Sequence, residues 1–110
     1  METIKIVEYV TADGGYPFKK WIDSFKDIQT KARIYRYVRS LSLGIFNNCK
    51  PIGDGVHELK INFGAGYRVY FGNECNTIVI LLCGGSKRSQ DRDIKLAQKY
   101  WVEYKKHGMA

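Results

Sequence analysis

Four basic side chains stand where they could hold a phosphate group. Lys60 and Arg68 belong to two consecutive predicted strands, and Lys87 and Arg88 follow the end of a third. Lysine and arginine bind phosphate oxygens, and the planar arginine fork matches their geometry best. These residue types therefore favour phosphate recognition, or stabilisation of negative charge that develops during a reaction.

The pairing of Lys60 with Arg68 follows from the apolar pattern of the two strands. If their aliphatic residues face the core, both cations face outward, and a five-residue loop over 62–66 sets them opposite each other. Like charges in that position destabilise a sheet, so we expect an anion between them. The alternative is a surface charge network with Glu58. Tyr70 faces outward in the same register and is the candidate for stacking on a base.

Candidates for proton transfer lie nearby in the sequence. Lys87 and Arg88 lead into the first turn of the last predicted helix, where free backbone N–H groups also favour phosphate. Asp91 and Asp93 lie in that turn, although acidic residues there more often complement the helix dipole. His57 could exchange a proton near neutral pH. Its expected place on the core side of a strand favours a structural role.

The composition sets the class of protein. The chain has 110 residues, and 18 Lys and Arg against 11 Asp and Glu give a formal net charge of +7, which attracts polyanions and acidic proteins but also fits plain solubility. The spacing of Cys49, Cys75 and Cys83 indicates neither a disulfide framework nor a zinc site. No signal peptide or membrane span is visible, so we expect a cytoplasmic protein. We also expect that it uses no metal or cofactor.

The elements that must position these residues follow from apolar periodicity and turn signals. In chain order they are a strand over 3–10, helices over about 17–27 and about 30–44, strands over 56–62, 67–72 and 77–83, and a helix capped by Ser89 and followed by Gly108. The segment around Pro51 is interpreted as a loop. The strand over 77–83 lacks polar alternation and is expected to be central.

Each predicted helix carries one apolar stripe that should be buried. The stripes are Phe18, Trp21, Ile22 and Phe25; Ile34, Val38, Leu41 and Ile45; and Ile94, Ala97, Trp101 and Tyr104. The order β-α-α-β-β-β-α predicts one α+β domain over residues 1–110, with two N-terminal helices and a C-terminal helix packed on an antiparallel sheet.

Three segments carry a resemblance to a known family. The sequence reads GluLeuLysIle at 58–61, GlyTyrArgValTyrPhe at 66–71 and GlyGlySerLysArgSerGlnAspArgAspIle at 84–94. In these segments and in the order of its elements, the chain resembles the HigB-like branch of the RelE/ParE toxins over nearly its whole length.

The resemblance implies a toxin that is neutralised by an antitoxin, usually a helix-turn-helix protein, whose complex with the toxin binds operator DNA. RelE-like members cleave mRNA on the ribosome without a metal, whereas ParE-like members inhibit DNA gyrase. Because one fold serves both activities, the alternatives are a gyrase inhibitor or a non-catalytic component that binds antitoxin and operator. The full basic set argues against the gyrase inhibitor, whose family members generally lack it.

The resemblance also implies residue roles. Arg68 matches the arginine that contacts the scissile phosphate, and Lys87 and Arg88 match the basic pair after the last strand, so these three are the predicted catalytic residues. Lys60 matches a basic position of the preceding strand. Together with Tyr70 and Gln90, it makes up the predicted RNA- or phosphate-binding set.

The chain departs from the RelE pattern at one catalytic position. Ile94 stands where RelE has a tyrosine, so the general acid and base stay open among His57, Asp91 and Asp93. The expected reaction is metal-free attack of the ribose 2′-OH on the adjacent phosphate, which leaves a cyclic phosphate and a free 5′-OH end.

Overall fold

The protein is built on one five-stranded sheet with helices on both faces. The computed structural model describes residues 3–107, and its strands lie in the order β1-β5-β4-β3-β2. The elements are β1 (Lys5–Glu8), α1 (Pro17–Asp23), α2 (Ile28–Ser42), β2 (Cys49–Gly53), β3 (Val56–Ile61), β4 (Tyr67–Glu74), β5 (Ile78–Gly85) and α3 (Gln90–His107). β1 runs parallel to β5, and the other neighbouring pairs are antiparallel. The predicted α+β class is confirmed, whereas the prediction of a purely antiparallel sheet is wrong because of the parallel β1–β5 pair.

The loop predicted around Pro51 is wrong, because Cys49–Gly53 forms the edge strand β2. Proline removes a ladder donor and suits an edge strand, so its presence did not prevent pairing. The pairing with β3 is irregular between Pro51 and Gly53. The element order is therefore β-α-α-β-β-β-β-α, one strand more than predicted.

Helices α1 and α2 cover one face of the sheet. Ile34, Val38 and Leu41 of the α2 stripe are buried as predicted, whereas Ile45 lies beyond the helix end and is exposed. Helix α1 ends earlier than predicted, at Asp23. Its stripe still faces the core, since Phe18 and Ile22 are buried and Trp21 and Phe25 are partly buried.

Helix α3 covers the opposite face. Ala97, Trp101 and Tyr104 are buried there, and Ile94 is partly buried against the same cluster. The sheet is consequently buried on both sides at β4 and β5, and the prediction that the last strand is central is confirmed.

The last helix begins differently from the prediction. A short 3₁₀ turn over Lys87–Ser89 precedes α3, and Ser86 rather than Ser89 is the N-cap. Ser86 and Ser89 form a capping box, in which the side chain of each accepts a hydrogen bond from the backbone N–H of the other. The helical stretch thus includes Lys87 and Arg88, and Gly108, predicted to follow the helix, lies outside the described residues. Among residues 3–107, no helix has the length and apolar character needed to cross a membrane.

Candidate functional site

The predicted hairpin register is confirmed. Lys60 pairs with Arg68 across β3 and β4, and the strands are joined by a five-residue loop, 62–66. Gly64 and Gly66 in this loop have φ of 59° and 70°, in the left-handed region that glycine adopts without strain. The loop therefore has the residue types that its backbone requires.

The predicted exposure of this face is wrong for all but one of its residues. Glu58, Arg68 and Tyr70 are 1%, 5% and 0% exposed, whereas Lys60 is exposed. The reason is α3, whose first turns lie over β3 and β4. Tyr70 is therefore unable to offer its ring to a base, and its role as a stacking surface is not supported.

Glu58 and Arg68 form the centre of a buried polar cluster. Arg68 Nε lies 3.6 Å from Glu58 Oε2, which is an ion-pair distance and too long for a hydrogen bond. Arg68 Nη1 donates a hydrogen bond to the carbonyl oxygen of Gly66. Gln90 Nε2 donates to Glu58 Oε2 at 2.9 Å, so α3 is joined directly to β3.

Lys50 adds a cation to this cluster from the strand that was not predicted. It pairs with Glu58 across β2 and β3, and its Nζ lies 3.9 Å from Glu58 Oε1. Its side chain is 66% exposed, so it can also meet a ligand from solvent. The sequence carries no clear signal for this strand, because its residues do not alternate between buried and exposed and its pairing shifts between Pro51 and Gly53.

The start of α3 is held against the β3–β4 loop. The backbone N–H of Lys87 donates to the carbonyl oxygen of Ala65 at 3.4 Å. A side chain at Gly66 would lie within 3.4 Å of both Arg68 Nη1 and Lys87 Cβ, so these residues are neighbours. Lys60, Arg68 and Lys87 are thereby brought into one region, as the sequence predicts.

An open groove surrounds the 3₁₀ turn and the first residues of α3. It has a volume of about 720 Å³. Its lining residues are Ser86, Lys87, Arg88, Ser89, Gln90, Asp91 and Arg92. Lys87 and Arg88 are exposed there, and together with Arg92 they make the groove a suitable place for an anion.

The three proton-transfer candidates are separated by the structure. Asp91 is exposed in the groove. Asp93 is buried and accepts a hydrogen bond from the Ser89 hydroxyl. His57 lies on the other face of the sheet, where its ring stacks on Phe71 with the centroids 5.5 Å apart. Burial lowers the pKa of His57, and its Nδ1 is buried without a hydrogen-bond partner in the described structure. His57 is thus not part of the basic cluster.

Tyr70 contributes a hydroxyl to the interior of the cluster instead of a ring to its surface. Burial raises the pKa of this hydroxyl well above its usual value, and the nearby carboxylates of Glu58 and Asp93 add to the effect. Among the described residues the hydroxyl has no hydrogen-bond partner. It therefore stays protonated and does not supply a base.

The three cysteines differ in their surroundings and none is in a disulfide. Burial raises the pKa of the Cys49 thiol to about 11 and that of Cys83 to about 12, while Cys75 is exposed. Within residues 3–107, no group of three or more His, Cys, Asp and Glu side chains is placed to hold a metal ion.

Comparison with known proteins finds a relative in Haemophilus influenzae. No family model matches the sequence. An uncharacterized protein of Haemophilus influenzae is 44% identical over 81 residues, which cover 74% of this chain and 82% of that protein.

Proposed function

Since the chain belongs to the same family as the Haemophilus influenzae protein, whose name states no activity, we propose from the site itself that it is the toxin of a type II toxin–antitoxin system. In this proposal it is a cytoplasmic mRNA endonuclease that acts on the ribosome. Its fold is RelE-like and closest to the HigB-like branch, with β2 added at one edge. A helix-turn-helix antitoxin neutralises it, and operator DNA is bound through their complex.

One observation carries the proposal: cations from three separate parts of the chain lie around the β3–β4 loop and the 3₁₀ turn that is bonded to it. Lys60 comes from β3, Arg68 from β4, and Lys87 and Arg88 from the 3₁₀ turn that is bonded to the β3–β4 loop. Within residues 3–107, Glu58 is the ion-pair partner of Arg68, whereas the exposed Lys60, Lys87 and Arg88 have none. An RNA phosphate in the groove would supply a counter-charge to Lys87 and Arg88, which line it.

The buried position of Arg68 divides the cations into two kinds. Lys60, Lys87 and Arg88 are exposed and can contact phosphate oxygens directly, and Lys50 can extend that surface along β3. Arg68 lies beneath them with only 5% of its surface accessible. It acts on the reacting phosphate through the field of its charge, which is screened less in a buried site than in water and is partly offset by the carboxylate of Glu58.

The proposed reaction is transesterification. The ribose 2′-oxygen forms a bond to phosphorus, the bond from phosphorus to the 5′-oxygen breaks, and the cations stabilise the negative charge on the phosphate oxygens. The 2′-OH proton passes to a base, and an acid protonates the departing 5′-oxygen. Asp91 is the solvent-exposed carboxylate of the groove and is the best-placed candidate for one of these roles.

The test is to map mRNA ends after brief expression of the protein. We expect cuts inside translated codons that carry 5′-OH ends. Lys87→Ala and Arg88→Ala should reduce cutting by about 10²-fold each, the scale for loss of one charge-stabilising group. Lys99→Ala removes an exposed cation farther along α3 and is the matched control. Intact mRNA accompanied by DNA breaks would instead identify a gyrase inhibitor. Intact nucleic acids with operator binding would identify a non-catalytic component.

A further inference from the structure

Glu58 is the most deeply buried charged residue of the polar cluster. It is 1% exposed and lies in β3, between β2 and β4. Taking a carboxylate out of water is unfavourable unless charged or hydrogen-bonding groups compensate it. Its compensating groups come from three different elements, so its position is fixed by the assembled fold.

The contacts of Glu58 divide between its two oxygens. Oε2 accepts the hydrogen bond from Gln90 at 2.9 Å and lies 3.6 Å from Arg68 Nε. Oε1 faces Lys50 Nζ at 3.9 Å. The carboxylate therefore joins β2, β4 and the first residue of α3 at one point.

Arg68 depends on this carboxylate. Its Nε atom is buried and has no hydrogen-bond acceptor within the described structure. Glu58 Oε2 is the anionic group beside it, while Nη1 is held by the carbonyl oxygen of Gly66. These two contacts are made by different nitrogen atoms of the guanidinium group.

We infer that Glu58 is a positioning residue, which holds the Arg68 guanidinium under the exposed cations and, through Gln90, fixes the start of α3 that carries Lys87 and Arg88. The role rests on the proposed function, because it concerns the catalysis of RNA cleavage. Glu58 cannot itself touch the RNA, since α3 and the neighbouring strands cover it. Its effect must pass through Arg68 and the start of α3.

The first test is the kinetics of Glu58→Gln, which keeps the shape of the side chain and removes its charge. We expect kcat for cleavage to fall by about 10-fold to 10²-fold, because small displacements of reacting groups have effects of this size. KM should stay within about 2-fold, because the exposed cations that bind RNA remain. Glu103→Gln, at the far end of α3, is the control for loss of a carboxylate.

A double-mutant cycle separates positioning from simple loss of stability. In an Arg68→Gln background, adding Glu58→Gln should change kcat by no more than about 2-fold. The charge of Arg68 is already absent, and the amide oxygen introduced by Glu58→Gln can still accept the hydrogen bond from Gln90. The double variant should also be more stable than either single variant, since no unpaired buried charge remains. Full, independent losses of kcat from the two changes would overturn the inference.

A readout in the free protein distinguishes failure of this inference from failure of the proposed function. The Nε–H proton of Arg68 should exchange slowly with solvent in the wild-type ¹⁵N NMR spectrum, and faster, with a shifted resonance, in Glu58→Gln. If the wild type cleaves no mRNA, the proposed function fails. Positioning of Arg68 by Glu58 is then decided by this resonance alone. An unchanged shift and exchange rate in Glu58→Gln would overturn it whatever the activity.

Discussion

Lys60 and Arg68 are paired directly across β3 and β4, yet only Lys60 reaches solvent. Arg68 is 5% exposed because α3 lies over its strand, and its counter-ion Glu58 is buried with it. Replacing one of these two paired residues should therefore affect the fold differently from replacing the other. Lys60 can be removed without disturbing the interior, whereas Arg68 cannot.

Arg68→Ala should destabilise the protein strongly. It leaves Glu58 as a buried carboxylate without its arginine, and breaking a buried pair in this way costs about 3–5 kcal/mol of the free energy of unfolding. Lys60→Ala removes an exposed side chain and should change that free energy by less than about 0.5 kcal/mol. Urea denaturation of the two variants measures the difference. Equal stabilities would show that the ion pair contributes nothing to the fold.

The stability of the protein should depend on the protonation of His57. Burial lowers the pKa of His57 in the folded state below its usual value of 6.5. As the pH falls, the unfolded chain therefore binds the proton first. The contribution to the free energy of unfolding is complete above about pH 6.5 and is lost as the pH falls towards the folded pKa. His57→Gln should remove this part of the pH dependence.

The experiment for His57 combines an NMR titration with urea denaturation at several pH values. A titration midpoint at or above 6.5 in the folded protein would contradict the prediction. The same variant should cleave RNA at a near-normal rate, because His57 stacks on Phe71 on the sheet face opposite Arg68. A loss of about 10²-fold in cleavage with unchanged ribosome binding would instead make His57 an acid or base.

The sequence was sufficient to predict the hairpin register because the apolar residues of β3 and β4 alternate strictly. A shift by one residue would have turned Leu59, Ile61 and Val69 away from the core. All three are buried in the cluster under α1 and α2. The five-residue loop over 62–66 then sets Lys60 opposite Arg68.

The burial of the polar face could not be predicted from the same pattern. An alternation of apolar and charged residues reads as one buried and one solvated face, and it does not distinguish a solvated charge from a buried pair such as Glu58 and Arg68. The burial of the polar face is caused by α3, because its apolar stripe of Ala97, Trp101 and Tyr104 must also be buried against the sheet. Since α1 and α2 occupy one face, α3 takes the other.

Cys75 should be the one cysteine that reacts quickly with iodoacetamide in the folded protein. The thiolate is the reactive form, and burial raises the pKa of Cys49 to about 11 and of Cys83 to about 12. Cys75 is exposed at the turn between β4 and β5. Mass spectrometry after brief alkylation near pH 8 identifies the labelled residue, and alkylation of the urea-denatured chain is the control. Rapid labelling of Cys83 in the folded state would contradict its burial under α3.

Gly84 and Gly85 are adjacent in β5 and face opposite sides of the sheet. A matched pair of variants at these positions can therefore test how α3 packs against β5. A methyl group at Gly85 would collide with the carboxylate of Asp93 and the hydroxyl of Ser89, whereas one at Gly84 would collide with Trp21 of α1. Both alanine variants overpack the interior, so each should lose about 1–3 kcal/mol of the free energy of unfolding.

The two alanine variants should differ in activity. Gly85→Ala pushes the start of α3 away from β5 and displaces Lys87 and Arg88, so cleavage by the folded protein should fall by about 10²-fold. Gly84→Ala disturbs the opposite face and should cleave at close to the wild-type rate below its unfolding temperature. Amide NMR shifts locate the two disturbances, which should fall around Ser89 in the first variant and around Trp21 in the second. Equal activity of two well-folded variants would show that the packing of α3 against β5 does not determine the positions of Lys87 and Arg88.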